Sequence, residues 1–583
     1  MENHRIADKL DQLAALLEFQ GANPFRLKAY RNGAQTIRES QVSVANALAE
    51  GEDLTSWPGV GKSVAEKCQE LVESGEMQQL NEILQVVPAS VLDLLRIPNL
   101  GPKKAAVLFK ELGVDSLDKL KDACEKQEVR KLKGFAAKTE QAILDGIEIA
   151  EQANQRMLWA DADDLVQSLQ AHLSQADGLE QMQFAGSYRR GKETVGDIDI
   201  LVISNNHQSV MDLLGSFPET VNTLVRGETK MSVRLESGFQ VDLRVVPAKS
   251  FGAALQYFTG SQNHNVELRH RAKQRSLKIN EWGVFELGTE AEQANDPKLP
   301  GWVAGEKEEE VYQAVGLPWI DPHLRENRDE FRWADQQALP TLLQLEDMQG
   351  DLHMHSTASD GANSIQEMAD AAIAAGLKYI AITDHSKRVA VANGLDGKRV
   401  LAQWKEIDKI NQQWNGEFLI LKGIECDILE DGAMDLPDDV LAQADWVMAS
   451  VHFGIKQSRQ EITDRILGAI EHPSVSAISH PTGRLLNRRP AYELDVEAII
   501  KSAARNRKFL ELNASPKRLD LNEVYLSHAR EAGVGIVIST DAHSTEGLQQ
   551  MRYGIVQARR GGLTAGQVVN TGSWESIQER LGN

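Results

Sequence analysis

Asp197 and Asp199, in Gly196-Asp197-Ile198-Asp199-Ile200, are two acids spaced for shared chemistry. On a strand, residues i and i+2 share a face, so both carboxylates can hold a pair of divalent cations. A third acid, Asp242, stands in Gln240-Val241-Asp242-Leu243-Arg244-Val245, a second run that reads as a strand. Three such acids suit phosphoryl transfer. One cation lowers the pKa of an attacking 3′-hydroxyl, another holds a triphosphate, and Asp242 is placed to accept the hydroxyl's proton. The glycine-bounded turn ahead of them, Gly186-Ser187-Tyr188-Arg189-Arg190-Gly191, offers Ser187 and Arg190 to β- and γ-phosphate oxygens.

The second half is rich in imidazole and carboxylate. Seven apolar runs, near 351–353, 379–383, 418–424, 446–451, 476–479, 509–512 and 534–539, read as strands. At or just after their C-terminal ends stand Asp351, His353 and His355, then Asp384 and His385, Glu425, His452, His480, Asn513, and finally Asp541 and His543. Barrel enzymes gather catalytic groups at that face. A single histidine after a strand is ordinary, but six in corresponding places with acids beside them are hard to explain by packing. The donors include no clustered thiolate and suit Mn²⁺, Zn²⁺ or Fe²⁺. Their number implies two or three ions, able to generate hydroxide near neutral pH and stabilise a phosphorane-like transition state.

Both groups need a scaffold, and the 583-residue chain is too long for one core. Residues 1–150 show helical periodicity broken by short Pro/Gly turns. Three of their loops resemble one another: Trp57-Pro58-Gly59-Val60-Gly61, Ile97-Pro98-Asn99-Leu100-Gly101 and Leu132-Lys133-Gly134-Phe135-Ala136. The first two fit the helix-hairpin-helix pattern, in which Gly59, Gly61 and Gly101 let helix N-terminal amides approach a nucleic-acid phosphate. The third has Ala136 where a second glycine would stand. Lys67 follows the first hairpin by one to two turns, where its amine could form a Schiff base with an abasic-site aldehyde if its pKa were lowered. Arg26, Tyr30 and Arg31 could add a phosphate pocket. From about 155 the pattern turns mixed, and the last segment alternates strands and helices as in a parallel sheet or barrel.

Composition sets outer limits. The charge of −22 argues against indiscriminate DNA coating, with Lys and Arg clustered locally at 103–138 and 269–278. Hydrophobic content of 42% and charged content of 25% fit an ordinary globular protein. The N-terminal segment reads as an amphipathic helix, and no apolar run approaches the roughly 18 residues of a membrane span. Cys68, Cys124 and Cys426 are isolated, as in a reducing compartment. The expected location is the cytoplasm, in association with the nucleoid.

The motifs of the first half resemble the family X DNA polymerases, a likeness extended by Tyr257-Phe258-Thr259-Gly260-Ser261, the run 265–269 and Lys278-Ile279-Asn280-Glu281-Trp282-Gly283. The resemblance implies nucleotide contacts from Ser187, Arg190, Gly196, Tyr257, Phe258, Gly260 and Asn265. Within that set, Tyr257 and Phe258 would gate the sugar, Asn265 would reach the minor-groove edge of the incoming base, and Arg269 would touch the template. Lys67 would be the lyase nucleophile and Tyr30 a phosphate-side tyrosine, although Ser63 stands where the family has a lysine. The second half resembles the PHP domain, whose nine-ligand pattern falls on His353, His355, Asp360, His385, Glu425, His452, His480, Asp541 and His543. His472 lies outside that pattern, and Arg484 is a candidate phosphate contact.

The implied architecture is multidomain. It has a helix-hairpin-helix module (1–80 at a DNA end, 81–150 on DNA), an α+β DNA polymerase beta-like nucleotidyltransferase palm (151–250), a subdomain for the nascent base pair (251–320), a linker (321–348) and a distorted (β/α)7 PHP barrel (349–583). The implied function is gap filling in DNA repair with Mg²⁺ or Mn²⁺, on gapped or nicked duplex DNA with deoxynucleoside triphosphates. The barrel would add a Mn²⁺-dependent 3′-5′ exonuclease, with abasic-site endonuclease or 3′-phosphatase activity as further expectations. The chain would act as a monomer, away from membranes. Two other readings stay open: a nucleotidyltransferase and phosphoesterase for small nucleotides or RNA, and a DNA-end scaffold with structural metals.

Overall fold

The computed structural model describes residues 3–40, 42–95, 97, 100–152, 156–414 and 416–582. The chain forms two compact units, residues 1–156 with 236–239 in one and the rest in the other.

Helices α1 (Asn3–Phe19), α2 (Pro24–Glu39), α3 (Val44–Ala49), α4 (Lys62–Ser74), α5 (Gln78–Val86), α6 (Val91–Leu94), α7 (Pro102–Leu112), α8 (Leu117–Glu125) and α9 (Ala137–Gln152) make up the first unit. Apolar residues at helical spacing drive this: Ile6, Leu10, Leu13 and Leu17 on α1 are buried in one shared core. The loops ahead of α4, α7 and α9 close alike. Val60 N–H donates to Trp57 O at 3.0 Å, Leu100 to Ile97 at 3.0 Å and Phe135 to Leu132 at 3.1 Å. Each of those donors buries its own side chain, which fixes the loop to the core. Gly59 (φ +79°) and Gly134 (φ +92°) take the left-handed corner that favours glycine. Pro98 and Asn99 of the second loop lie outside the described residues.

The second unit begins with a small antiparallel pair, β1 (Met157–Leu158) with β3 (Thr194–Val195). Its main sheet contains β2 (Leu179–Phe184), β4 (Asp197–Ser204), β5 (Thr220–Arg226), β6 (Lys230–Leu235) and β7 (Gln240–Val245), in the order β2-β4-β7-β6-β5. Neighbours are antiparallel except β4 and β7, which run parallel. Strand alternation sends Ile198 and Ile200 into the core and Asp197 and Asp199 to the other face. Helices α10 (Trp159–Leu173), α11 (Gly186–Arg189), α12 (His207–Gly215), α13 (Phe251–Thr259) and α14 (Gln262–Gln274) accompany the sheet, with α11 and α13 against β4.

A three-stranded antiparallel sheet follows, β8 (Leu277–Asn280), β9 (Gly283–Glu286) and β10 (Trp302–Ala304). Its core also takes Leu324, Phe331, Ala334 and Leu342, so much of the segment expected as a linker is packed structure with short helices at Pro322–Leu324, Glu330–Asp335 and Leu345–Asp347.

The C-terminal part contains seven parallel strands, β11 (Gly350–Met354), β12 (Tyr379–Ile382), β13 (Leu419–Asp427), β14 (Trp446–Ser450), β15 (Ala477–Ile478), β16 (Phe509–Asn513) and β17 (Ile536–Ser539), paired in chain order. A parallel bridge from Met354 to Ala542 and a hydrogen bond from Asp541 N–H to His353 O at 2.9 Å join the first strand to the last. The result is the nearly closed barrel that the apolar runs predict. Cys68, Cys124 and Cys426 are free and buried. No helix among the described residues is long and apolar enough to cross a membrane.

Candidate active sites

In the mixed sheet, parallel register sets Asp199 opposite Asp242 and Asp197 opposite Gln240, so all three acids meet at one end of β4 and β7. Burial, then the charges of Asp197 and Asp242, push the Asp199 carboxyl up to about 7. That is the response of crowded acids, which the nearby Arg244 and Lys230 charges offset only in part. Asp242 is held from behind: it accepts hydrogen bonds from Ser232 Oγ and, at 2.7 Å, from Gln240 Nε2, with Lys230 Nζ at 3.7 Å. Gly186 (φ +63°) passes so close that a Cβ there would lie 2.7 Å from Asp199 Oδ2. The turn therefore needs glycine for space as well as for conformation.

Ser187 lies on α11, as the glycine-bounded turn predicts. Arg190 is less available than expected, because its Nε donates to Glu326 Oε1 at 3.0 Å and its Nη1 to Thr259 O at 2.5 Å. Gly196 directly precedes β4. Tyr257 and Phe258 meet edge to face at 5.1 Å, and Arg244 lies 4.5 Å over the Phe258 ring. Gly260 ends α13 at φ +69° with Arg190 Nη1 alongside. Asn265 is buried, accepting from Gln256 Nε2 and donating to Tyr257 O, both at 2.7 Å. Arg269 is exposed on the same helix, α14.

In the helical unit, Gly61 and Gly101 stand at the N-caps of α4 and α7 and are exposed. The third loop has the same cap in spite of its alanine: Thr139 N–H donates to Ala136 O at 2.8 Å, as Val64 does to Gly61 at 2.9 Å. The Tyr30 hydroxyl is 2.9 Å from Ser63 Oγ, and Arg26 lies over the tyrosine ring. Arg31 is paired with Glu18, and Lys67 Nζ is bound to Glu70 at 2.8 Å.

At the barrel's C-terminal end the nine expected donors converge. His355, Asp360, His385 and His543 form one group, His353, His355 and Glu425 a second, and His385, Glu425 and His452 a third, with donor atoms of each group within 4.8 Å. His480 Nε2 joins at 3.1 Å from Glu425 Oε1, and Asp541 Oδ1 lies 3.1 Å from His355 Nε2. Among the described residues, every His/Cys/Asp/Glu group this tight lies in the barrel. Burial alone would raise the Glu425 carboxyl, yet the imidazoles of His452, His385 and His353 hold it well below the carboxylate range. Burial and the neighbouring Arg518 charge keep His480 down at about 3, the neutral form a metal ligand requires. The donors fit divalent ions: His353 Nε2, His355 Nδ1 and His480 Nδ1 are buried without a hydrogen-bond partner.

Sequence reasoning missed the groups behind these donors. His353 Nδ1 lies 2.7 Å from Glu511 Oε1, and Glu511 Oε2 accepts from His480 N–H at 2.6 Å. Asp427 similarly meets the His452 ring Nδ1 at 3.1 Å. Such partners orient imidazole ligands and raise their basicity. Two signals were present: an acid inside the apolar run Phe509-Leu510-Glu511-Leu512, and Glu425-Cys426-Asp427, which repeats the Asp-x-Asp spacing. His472, outside the cluster, accepts from Ser474 N–H and lies 3.3 Å from Asp438.

Arg484 requires a correction. Both of its Nη groups are spent, on the Glu193 carboxylate (2.5 and 3.1 Å) and on Leu519 O, so it ties the barrel to the residue just before β3. The seam continues through Arg560, which binds Glu523 at 2.7 Å, Glu326 at 3.2 Å and the Arg190 carbonyl at 2.6 Å.

Five family descriptions match the chain: a helix-hairpin-helix domain over residues 1–77, a SAM-like helix-hairpin-helix tandem over 91–148, a DNA polymerase beta palm over 156–247, a DNA polymerase beta thumb over 254–326 and a PHP domain over 351–515. Over 583 residues the chain is 39% identical to a protein of Bacillus subtilis (strain 168) described as DNA polymerase/3′-5′ exonuclease PolX, covering 100% of this chain and 99% of that one. DNA polymerase lambda of Rattus norvegicus is 27% identical over 343 residues, 56% of each chain. A probable phosphatase of Acetivibrio thermocellus is 34% identical over 202 residues, 33% of this chain and 78% of that one.

Proposed function

Because the chain belongs to the bacterial PolX family of DNA polymerase/3′-5′ exonucleases, we propose that it fills short gaps during DNA repair and trims 3′ ends at the barrel. The observation that carries the reading is the presence of two separate donor clusters in one unit, three carboxylates on β4 and β7 and nine donors around the barrel mouth.

Mg²⁺ or Mn²⁺ at the carboxylates, and two or three Mn²⁺, Zn²⁺ or Fe²⁺ ions at the barrel, would supply electrophilic activation of phosphate oxygens and of the attacking hydroxyl or water. In the palm, Asp197, Asp199 and Asp242 are the ligands, and Asp242 takes the proton of the primer 3′-hydroxyl. Ser187, Arg190 and Gly196 receive the triphosphate, for which Arg190 must exchange its bond to Glu326 or to Thr259 O. Tyr257, Phe258 and Gly260 face the sugar, Asn265 the base edge and Arg269 the template. The hairpin glycines Gly59, Gly61 and Gly101 bring backbone amides to DNA phosphates, and the common cap geometry adds Ala136 to that set. Tyr30 belongs to the 5′-phosphate pocket and Lys67 to a lyase step, which requires it to leave Glu70. In the barrel, His353, His355, Asp360, His385, Glu425, His452, His480, Asp541 and His543 are the ligands. The substrate is gapped or nicked duplex DNA with deoxynucleoside triphosphates, handled by a monomer in the cytoplasm. The phosphatase relative favours a second barrel activity, removal of a 3′-phosphate.

The test separates the sites. Asp197→Ala with Asp199→Ala is expected to abolish extension of gapped DNA and leave trimming intact, and His353→Ala with His355→Ala to do the reverse. Loss of both activities in either folded variant refutes independent sites.

A further inference from the structure

We propose that Arg518 is the phosphate clamp of the barrel centre, its guanidinium binding the scissile phosphate as the 3′ end is trimmed. The assignment rests on the exonuclease reading above. Arg518 lies in the loop leaving β16, where its N–H donates to Ser515 O at 2.8 Å. The preceding residue, Lys517, accepts from Leu486 N–H at 2.8 Å, which fixes this loop beside the segment that follows His480. The side chain is mostly buried, yet its closest charged partner is Asp541 Oδ2, 3.7 Å from Nε. Its Nη1 is buried without a hydrogen-bond partner. A buried donor left unpaired is costly, and an arriving anion removes that cost.

Two neighbouring arginines are already engaged. Arg484 binds Glu193 and Leu519 O, and Arg489 donates Nε and Nη2 to Gly483 O at 3.1 and 2.7 Å. Arg518 instead stands against a metal ligand with donor capacity unspent, and the planar guanidinium fork matches two phosphate oxygens. In the trimming step a water oxygen bonds to phosphorus as the P–O3′ bond breaks. The departing 3′ oxygen takes up a proton, and the terminal unit leaves as a 5′-monophosphate. Charge grows on the non-bridging oxygens, where a fixed cation on the protein counts most.

The test compares wild type, Arg518→Met, Arg518→Lys and Arg484→Met as full chains loaded with Mn²⁺. It measures trimming of a labelled single-stranded oligonucleotide, calorimetric binding of inorganic phosphate, and Mn²⁺ content. Arg518→Met should slow trimming about 100-fold. It should weaken phosphate binding about tenfold, the loss of one charge-assisted contact, with Mn²⁺ content and gap extension unchanged. Arg518→Lys should regain part of both, and Arg484→Met should bind phosphate as wild type does. The proposal is overturned if Arg518→Met keeps wild-type phosphate binding, if its losses track lost Mn²⁺, or if Arg484→Met weakens phosphate equally. Wild type that trims no DNA would refute the exonuclease reading, and phosphate binding would still decide the role of Arg518.

Discussion

In the mixed sheet, strand register alone places three carboxylates, whereas in the barrel nine donors arrive from six strands and the remaining strand, β16, supplies Glu511 behind them. The palm acids repel one another, and Asp242 is occupied by Ser232, Gln240 and Lys230. In the barrel, neighbouring imidazoles instead hold the Glu425 and Asp541 carboxyls well below the carboxylate range even though both are buried. A polymerase site that must admit a new triphosphate each cycle can leave its geometry to be completed by substrate. A hydrolytic centre gains from donors fixed in advance in a low-dielectric setting.

The largest effect that would break this contrast is at the tightest point of the palm. Gly186→Ala forces a Cβ against Asp199 from a left-handed backbone, and gap extension should fall by about 100-fold, since displacements near 1 Å cost that much. Trimming by the same variant should be unchanged in a gel assay. In the barrel, Glu511→Gln should weaken metal binding by roughly 10- to 100-fold while leaving extension intact, as titration of the apo chain with Mn²⁺ would reveal.

Chelation sharpens the comparison in stability. At metal about 100-fold above Kd, binding adds about 2.7 kcal/mol. Calorimetry should place that increment in the barrel, and His353→Ala with His355→Ala should remove it. The smallest effect on either activity is expected at the seam. Burial raises Glu326, but Arg560, Lys192, Arg190 and Arg328 bring it down to about 2. A carboxyl depressed in the fold stabilises above its ordinary pKa of 4.5, and that contribution fades as pH falls towards about 2. Glu326→Gln should therefore destabilise the unit by about 3 kcal/mol at pH 7. In thermal melts the gap to wild type should close as pH falls below 4.5.

Local signals carried much of this molecule. Alternation in β4 and β7, apolar runs in β11 to β17 and glycine turns before α4 and α7 were all readable because they follow from side-chain period and backbone permissiveness. The clustering of the barrel histidines was readable because they recur after strands. Arg484 misled for the same reason: its position after His480 resembles a phosphate site, while its actual partner, Glu193, lies 291 residues away. Ala136 forms the same cap as the hairpin glycines, since a cap made by a backbone carbonyl needs no glycine.

The sequence by itself determined which residues could hold cations and which face of each strand they occupy, because those depend on periods of two and on residue chemistry. Tertiary structure decided what stands behind and between them: Glu511 under His353, Ser232 under Asp242, Glu326 beside Arg190 and Arg518 at Asp541. Glu511 with His353 and Glu326 with Arg190 join segments 158 and 136 residues apart. Even the neighbouring strands that carry Ser232 and Asp242 bring them together only through register, which no local pattern records.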